Sequence, residues 1–147
     1  MRKLLSKSAL IFMTVSALGA AGSASAHGDV VPQAVKTDGL PAIEGTAETN
    51  PYRGKDKKIV DKAVEIGSSA YNQNCARCHG LGAVSGGIAP DLRMLPVGDD
   101  GDEIFAQRIR NGSVRNGVTY MPPFGSVFSE PAIWAIRTYL DSVHVDE

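Results

Sequence analysis

The chain has 147 residues, with 15 Lys and Arg against 16 Asp and Glu, and 43% of its residues are hydrophobic. A charge this close to neutral provides no basic stripe of the kind that binds nucleic acid, so we exclude that class of partner. The length suits one domain with one core.

The first 26 residues have the three parts of an export signal. They open with three basic residues, continue with an apolar run at 9–18, and end in the small-x-small pattern Ala24-Ser25-Ala26. The apolar run is far shorter than the roughly 20 residues that a helix needs to cross a bilayer. We therefore predict cleavage after Ala26 and a mildly acidic, soluble periplasmic protein with no membrane span.

Residues 27–54 show little hydrophobic periodicity. Prolines and glycines are mixed with Thr, Glu and Asp, a composition typical of extended or mobile chain. We expect a flexible N-terminal extension, followed by a single domain at 55–147. The alternative is an arm that wraps the core or docks a partner.

A helical pattern begins after Asp56, which we expect to be the N-cap. Apolar residues recur at three- and four-residue steps and charged residues fill the other face. Gly67 lies inside this helix, where glycine costs about 1 kcal/mol relative to alanine. We therefore expect a second helix to pass close to the Gly67 backbone.

The run Cys75-Ala76-Arg77-Cys78-His79 carries the most specific chemistry in the chain. Two thiols with this spacing can add to the two vinyl groups of one haem, and the adjacent imidazole can bind the iron as proximal ligand. We therefore predict one covalently attached haem c per chain, held by Cys75, Cys78 and His79.

Three other interpretations of this run are weaker. A redox Cys-x-x-Cys needs no following histidine and usually opens a helix that lowers the thiol pKa. A structural zinc site needs four ligands, yet the other histidines, His27 and His144, lie near the two ends of the chain. A simple disulfide between Cys75 and Cys78 stays open on composition alone.

A glycine-rich loop follows at 80–90. No strand precedes it and no Lys-Ser/Thr follows, so we exclude a phosphate-binding loop. Glycine permits the close backbone approach that folding around a flat cofactor requires. The Pro90 carbonyl could accept the His79 Nδ1 proton, which would fix the ring and make it more electron-donating.

We predict a second helix from Asp99 or Asp100 to Asn111. Acidic residues occupy its first turn and arginines its last, as the helix dipole favours, and Gly112 follows as a stop. Its predicted buried stripe consists of Ile104, Phe105 and Ile109.

Met121 is our predicted sixth ligand of the haem iron. A thioether stabilises ferrous iron and raises the reduction potential relative to a second histidine. Two prolines after Met121 stiffen its loop, and Tyr120 and Phe124 offer aromatic cover. Met94 is the rival ligand, but it follows the motif closely, whereas an intervening helix can carry Met121 to the other face.

A final helix is predicted to start after Ser129, with Pro131 in its first turn. Its broad apolar surface should cross the first helix near Gly67, with Tyr71 and Tyr139 close to the contact.

Over about residues 57–143 the chain resembles the class I c-type cytochromes. The resemblance is carried by Gly67, Tyr71, Cys75, Cys78, His79, Pro90, Met121, Pro122, Tyr139 and Leu140. It implies an all-α fold in which a few helices wrap one covalently attached haem, with His79 and Met121 as axial ligands.

Three stretches, at 72–75, 86–92 and 135–144, are similar to the periplasmic cytochromes that accept electrons from quinoprotein ethanol dehydrogenases. This resemblance implies a PQQ-dependent alcohol dehydrogenase as electron donor and a terminal oxidase or another cytochrome as acceptor. We expect a monomer that meets each partner transiently.

Iron with both axial positions filled has no open site for a substrate, so we expect a one-electron carrier and not an enzyme. Two alternatives remain. One is a carrier or cytochrome subunit of another respiratory or sulfur-oxidising system. The other is a haem enzyme or gas sensor, which requires an open iron site.

Overall fold

The computed structural model describes residues 32–146, so the predicted export signal and His27 lie outside the described residues. Helices dominate this part of the chain. They are α1 (Lys57–Asn74), α2 (Ala76–His79), α3 (Asp99–Asn111) and α4 (Glu130–Ser142), with 3-10 turns at Leu81–Ala83 and Leu92–Met94. Between residues 32 and 146, no helix is both long enough and apolar enough to cross a membrane.

Helices α1 and α4 cross in direct contact at Gly67, as predicted. A Cβ atom built on Gly67 would overlap the backbone carbonyl of Ala135 in α4, so the two backbones approach too closely for any larger residue. One turn further along, the rings of Tyr71 and Tyr139 pack with their centroids 5.4 Å apart. This crossing forms the centre of the hydrophobic core.

The predicted caps of α1 and α4 are both at helix starts, but only one uses its side chain. The Asp56 carboxylate accepts a hydrogen bond from the Ile59 amide at 3.1 Å. At the start of α4, the Ser129 carbonyl accepts from the Ala132 amide at 2.9 Å, while the Ser129 hydroxyl forms no capping hydrogen bond.

Helix α3 spans the predicted residues, and Gly112 follows it as the C-cap. Phe105 and Ile109 are buried as predicted, but the prediction was wrong for Ile104, which is exposed. The reason is helical geometry. Phe105 and Ile109 are four residues apart and share the buried face, whereas Ile104 is rotated by about 100° from Phe105 around the helix axis.

Residues 32–54 form an arm that packs on the helices, so the expectation of a flexible extension is wrong for this part of the chain. Tyr52 is 1% exposed and lies in a cluster with Ala63, Ala106 and Trp134. Leu40, Ile43 and Ala47 of the arm are partly buried against the same cluster. These apolar residues are irregularly spaced, so no periodic pattern revealed them.

A short hairpin interrupts the otherwise helical fold. Strands β1 (Ser113–Arg115) and β2 (Val118–Met121) pair antiparallel, and Asn116 and Gly117 between them have positive φ angles of 50° and 76°. Asn-Gly is the residue pair that two-residue hairpin turns favour. The mostly helical fold is confirmed, and the hairpin, which sequence analysis missed, places Met121 at its end.

Candidate haem-binding site

Cys75 and Cys78 lie on one face of a single helical turn. The amides of Cys78 and His79 both donate to the Cys75 carbonyl, at 3.0 and 2.9 Å. Residues three apart in such a turn are neighbours on the helix surface. The fold therefore places Cys75 and Cys78 as neighbours on the helix surface, with His79 at the end of the same turn.

Both cysteines are free thiols in the structure. Burial, with a smaller contribution from Cys78, raises the pKa of the Cys75 thiol to about 12. A redox Cys-x-x-Cys requires a lowered thiol pKa, so this environment argues against a thioredoxin-like pair. Across residues 32–146, no group of three or more His, Cys, Asp and Glu side chains could hold a metal ion, which leaves the zinc interpretation without support.

The His79 ring is oriented by a backbone carbonyl. Its Nδ1 atom lies 2.9 Å from the Pro90 carbonyl oxygen, the contact that sequence analysis predicted. A carbonyl can only accept, so this contact places the ring proton on Nδ1. The Nε2 atom then has a free lone pair, which is the form of imidazole that binds a metal.

The chain turns sharply after His79. Gly80 has a φ angle of 83°, and a Cβ atom on it would overlap the Val84 carbonyl, so only glycine fits. The Tyr71 hydroxyl donates to the Gly80 carbonyl at 2.8 Å. Burial, followed by the nearby Cys75, raises the pKa of Tyr71, which keeps the phenol protonated as a donor.

Three side chains that sequence analysis did not single out fasten the loop on which Pro90 lies. Asp91 accepts hydrogen bonds from the Ser85 amide at 3.2 Å, from the Arg93 amide at 3.0 Å, and from the Arg93 guanidinium at 3.0 and 2.8 Å. The Ser85 hydroxyl bonds to the Ala89 carbonyl at 2.5 Å. The hydrogen bonds from Arg93 hold the pKa of Asp91 well below its usual range. The only sequence signal for this hydrogen-bonded loop was the acidic Asp91 two residues before Arg93.

The two candidate methionines lie in different environments. Met121 is half-buried and packs against the same hydrophobic cluster as Cys75, which includes Tyr71 and Ile109. Met94 is 46% exposed. The structure therefore brings Met121, and not Met94, onto the cluster that borders the motif.

The predicted aromatic cover beside Met121 is only half correct. Phe124 is buried and stacks with Phe128 at a centroid distance of 5.0 Å. Tyr120 was wrongly assigned to this role, since it is 68% exposed and its ring lies against the Arg115 guanidinium instead. The alternation of side chains along β2 directs Tyr120 away from the core.

The residues present fit a haem. Two adjacent thiols and an imidazole with a free Nε2 are the donor set for covalent attachment and iron ligation. The segment after the motif also exposes large apolar side chains, a surface that suits a flat hydrophobic macrocycle. These side chains are Leu81, Val84 and Ile88.

The chain is similar to proteins of known class. The family model described as "Cytochrome C oxidase, cbb3-type, subunit III" matches residues 62–140. Cytochrome c550 of Pseudomonas aeruginosa is 57% identical over 136 residues, which cover 92% of this chain and 93% of that protein.

Two further relatives match over shorter segments. The quinohemoprotein alcohol dehydrogenase ADH-IIG of Pseudomonas putida is 36% identical over 78 residues, covering 53% of this chain and 10% of the dehydrogenase. The cbb3-type cytochrome c oxidase subunit FixP of Rhizobium meliloti is 36% identical over 89 residues, covering 55% of this chain and 30% of the subunit.

The extent of the match to cytochrome c550 and the family-model match together identify an electron-transfer protein, not an enzyme, with covalently bound haem c. The chain belongs to the class I c-type cytochromes.

Proposed function

We propose that this cytochrome carries single electrons in the periplasm from a PQQ-dependent alcohol dehydrogenase, of the kind that oxidises ethanol, to a terminal oxidase. The observation that supports this donor is the similarity between this chain and a segment of a quinohemoprotein alcohol dehydrogenase. A separate cytochrome of the same type can accept electrons from such a dehydrogenase by transient contact.

In this proposal Cys75 and Cys78 would hold the haem through thioether links, and His79 Nε2 and the Met121 sulfur would bind its iron. The free thiols on one helical turn support the first assignment. The Nδ1 contact with Pro90 and the position of Met121 beside the Cys75 cluster support the second.

The bound haem supplies one reversible electron through the ferric and ferrous states of its iron. The chain sets the conditions for that exchange. Met121 offers a soft, neutral thioether that favours the ferrous state, while the imidazole of His79, held by Pro90, favours the ferric state. With His79 and Met121 both bound, the iron would have no coordination site left for a substrate.

Helix packing keeps these groups in place during electron transfer. The motif continues directly from α1, and Met121 belongs to the hairpin that leads into α4. Because α1 and α4 are locked at Gly67, both ligand-bearing segments are attached to one rigid pair of helices.

The test is anaerobic mixing of the oxidised, purified holoprotein with ethanol and a calcium- and quinone-loaded ethanol dehydrogenase, while the haem spectrum is followed in time. We expect rapid formation of a low-spin ferrous c-type spectrum that requires both ethanol and enzyme. Matched mixtures lacking ethanol, or containing enzyme without its quinone, should stay oxidised. A normal haem that stays oxidised in the complete mixture would overturn the assignment of the donor.

A second candidate function is a carrier or cytochrome subunit in another respiratory system. The match to the cbb3-type subunit III family model and the similarity to FixP favour it. Reduction by a different dehydrogenase, with no response to the ethanol-oxidising enzyme, would support this second function.

A further inference from the structure

We propose that Asp91, together with Ser85 and Arg93, holds the Pro90 carbonyl against His79 and thereby sets the reduction potential of the haem. These are positioning residues, because they act through Pro90 and do not touch the iron. The inference rests on the proposed function in one respect, the assignment of His79 as an axial ligand.

Packing alone does not fix the Pro90 carbonyl. Pro90 is exposed and the His79–Pro90 contact is open to solvent. Proline also lacks an N–H group, so its own amide cannot anchor it through a hydrogen bond. A carbonyl in such a position keeps one orientation only if the residues beside it are held.

Hydrogen bonds hold the loop on both sides of Pro90. Before it, the Ser85 hydroxyl accepts from the Gly87 amide at 3.0 Å and donates to the Ala89 carbonyl at 2.5 Å. After it, Asp91 joins the Ser85 amide to the Arg93 side chain. The loop is thus closed on itself by the residue that directly follows Pro90.

This closed loop is also attached to the body of the protein. The Arg93 carbonyl accepts from the Val145 amide at 3.2 Å, beyond the end of α4. Leu92 and Leu95, which flank Arg93, are packed against the main hydrophobic cluster. Asp91 therefore connects a solvent-exposed carbonyl to a part of the chain that cannot move freely.

The position of this carbonyl changes the ligand strength of His79. A hydrogen bond from Nδ1 to an acceptor makes the imidazole more basic, and a more basic ligand stabilises ferric iron. If the loop loosens, that hydrogen bond lengthens, the ferric state loses stabilisation, and the reduction potential rises. No covalent step is involved, since the couple exchanges one electron only.

The experiment compares three variants for which charge and loop closure predict different patterns of reduction potential. Asp91→Asn removes a negative charge, Arg93→Leu removes a positive charge, and Arg93→Lys keeps the charge but loses the two-point guanidinium contact. Charge alone predicts a higher potential for Asp91→Asn, a lower one for Arg93→Leu and no change for Arg93→Lys. Loop closure predicts a higher potential in all three.

Arg77→Leu is the matched control, because Arg77 is an exposed arginine within the motif itself. This variant loses the same charge without touching the loop, so its potential should fall. Ser85→Ala is a milder variant that keeps every charge and should raise the potential slightly. It tests the proposal even where the Asp91 and Arg93 variants fold poorly.

The measurements are a redox titration of each holoprotein and the exchange rate of the His79 Nδ1 proton in the ferrous form by NMR. We expect the ferrous-to-ferric ratio at a fixed solution potential to rise several-fold, up to about tenfold, in the Asp91 and Arg93 variants. Tenfold corresponds to about 59 mV for one electron. The Nδ1 proton should exchange faster in the same variants.

Shifts of opposite sign in Asp91→Asn and Arg93→Leu, or an unchanged potential and proton exchange in Arg93→Lys and Ser85→Ala, would overturn the proposal. The wild-type NMR spectrum separates this outcome from failure of the proposed function. Ring-current-shifted His79 and Met121 signals must be present for the axial assignment to stand. Their absence would contradict that assignment and not the role of the Asp91 loop. Neither measurement depends on an alcohol dehydrogenase.

Discussion

Asp102 of α3 and Arg137 of α4 form an ion pair with an N–O distance of 2.7 Å, and their side chains are 0% and 1% exposed. The N-terminal arm completes this pair, because the Arg53 guanidinium and the Asn50 backbone N–H each donate to the Asp102 carboxylate at 2.7 Å. One buried carboxylate thus joins α3, α4 and the arm.

Replacing Asp102 by Asn should therefore be strongly destabilising. The substitution removes the shorter of the two ion pairs of buried Arg137, leaving only Asp141 at 3.1 Å, and breaking a buried pair costs about 3–5 kcal/mol. Urea unfolding of the holoprotein measures this loss. Asp99→Asn is the control, since Asp99 is exposed and lies 3.7 Å from Arg53, and such a pair contributes at most about 1 kcal/mol. Equal effects of the two substitutions would contradict the structural account.

The same carboxylate predicts a loss of stability in acid. Burial acts to raise the pKa of Asp102, but hydrogen bonds from Arg53 and Arg137 outweigh it and the pKa is lowered. A lowered folded-state pKa means that the stabilisation is present above the unfolded value of about 3.9 and is lost as pH falls below it. Melting temperatures measured from neutral pH to below pH 3 should fall more steeply in the wild type than in Asp102→Asn. Parallel curves would show that other carboxylates dominate.

Gly67→Ala should disrupt the helix crossing. The added methyl group would overlap the Ala135 carbonyl, and forcing two backbones apart costs about 1–3 kcal/mol or more. The matched substitution is Gly86→Ala, because a Cβ atom on Gly86 meets nothing within 4 Å and its φ angle is not positive. Thermal unfolding should show a clear loss for the first variant and little change for the second.

Met121→Ala should convert the low-spin haem to a high-spin or water-ligated form. Removing the thioether opens the sixth position of the iron, which a water molecule can fill. The visible spectrum of the ferric protein reports this change directly. Met94→Ala should keep the low-spin spectrum. The reverse pattern would transfer the axial role to Met94.

Tyr52→Ala should destabilise the protein by about 3–5 kcal/mol, the usual cost of truncating a buried aromatic side chain. The Tyr52 hydroxyl also donates to the Pro41 carbonyl at 3.2 Å. The substitution therefore removes a hydrogen bond within the arm as well as the contact between the arm and the core. The exposed Tyr120 provides the comparison, and its truncation should change the free energy of unfolding by about 0.5 kcal/mol or less. A small effect at Tyr52 would mean that the arm contributes little to stability.

Local chemistry made much of this protein predictable from its sequence. The Cys-x-x-Cys-His run alone indicates haem binding, because the order and spacing of its three functional side chains suit this one cofactor. The helix crossing at Gly67 was predictable for a similar reason, since a glycine inside a helix indicates that another backbone passes nearby. In both cases the signal lies within a few residues.

What escaped prediction depends on contacts between distant parts of the chain. Tyr52 and Asn50 gave no periodic signal, because the arm has no regular structure and each of its anchors is irregularly placed. Asp102 was interpreted as one of several acids favoured at a helix start, since nothing nearby in the sequence indicates Arg137. The Asn116-Gly117 turn did carry a local signal, and the hairpin could have been predicted from it.

The contact between α1 and α4 makes the chain between them a closed loop. Its two ends, at Cys75 and Ser129, cannot separate without breaking the helix crossing. Docking of the two helices therefore contributes to offsetting the entropic cost of bringing the motif and Met121 together. The polypeptide that carries the motif and Met121 should therefore change its conformation little when an electron is gained or lost.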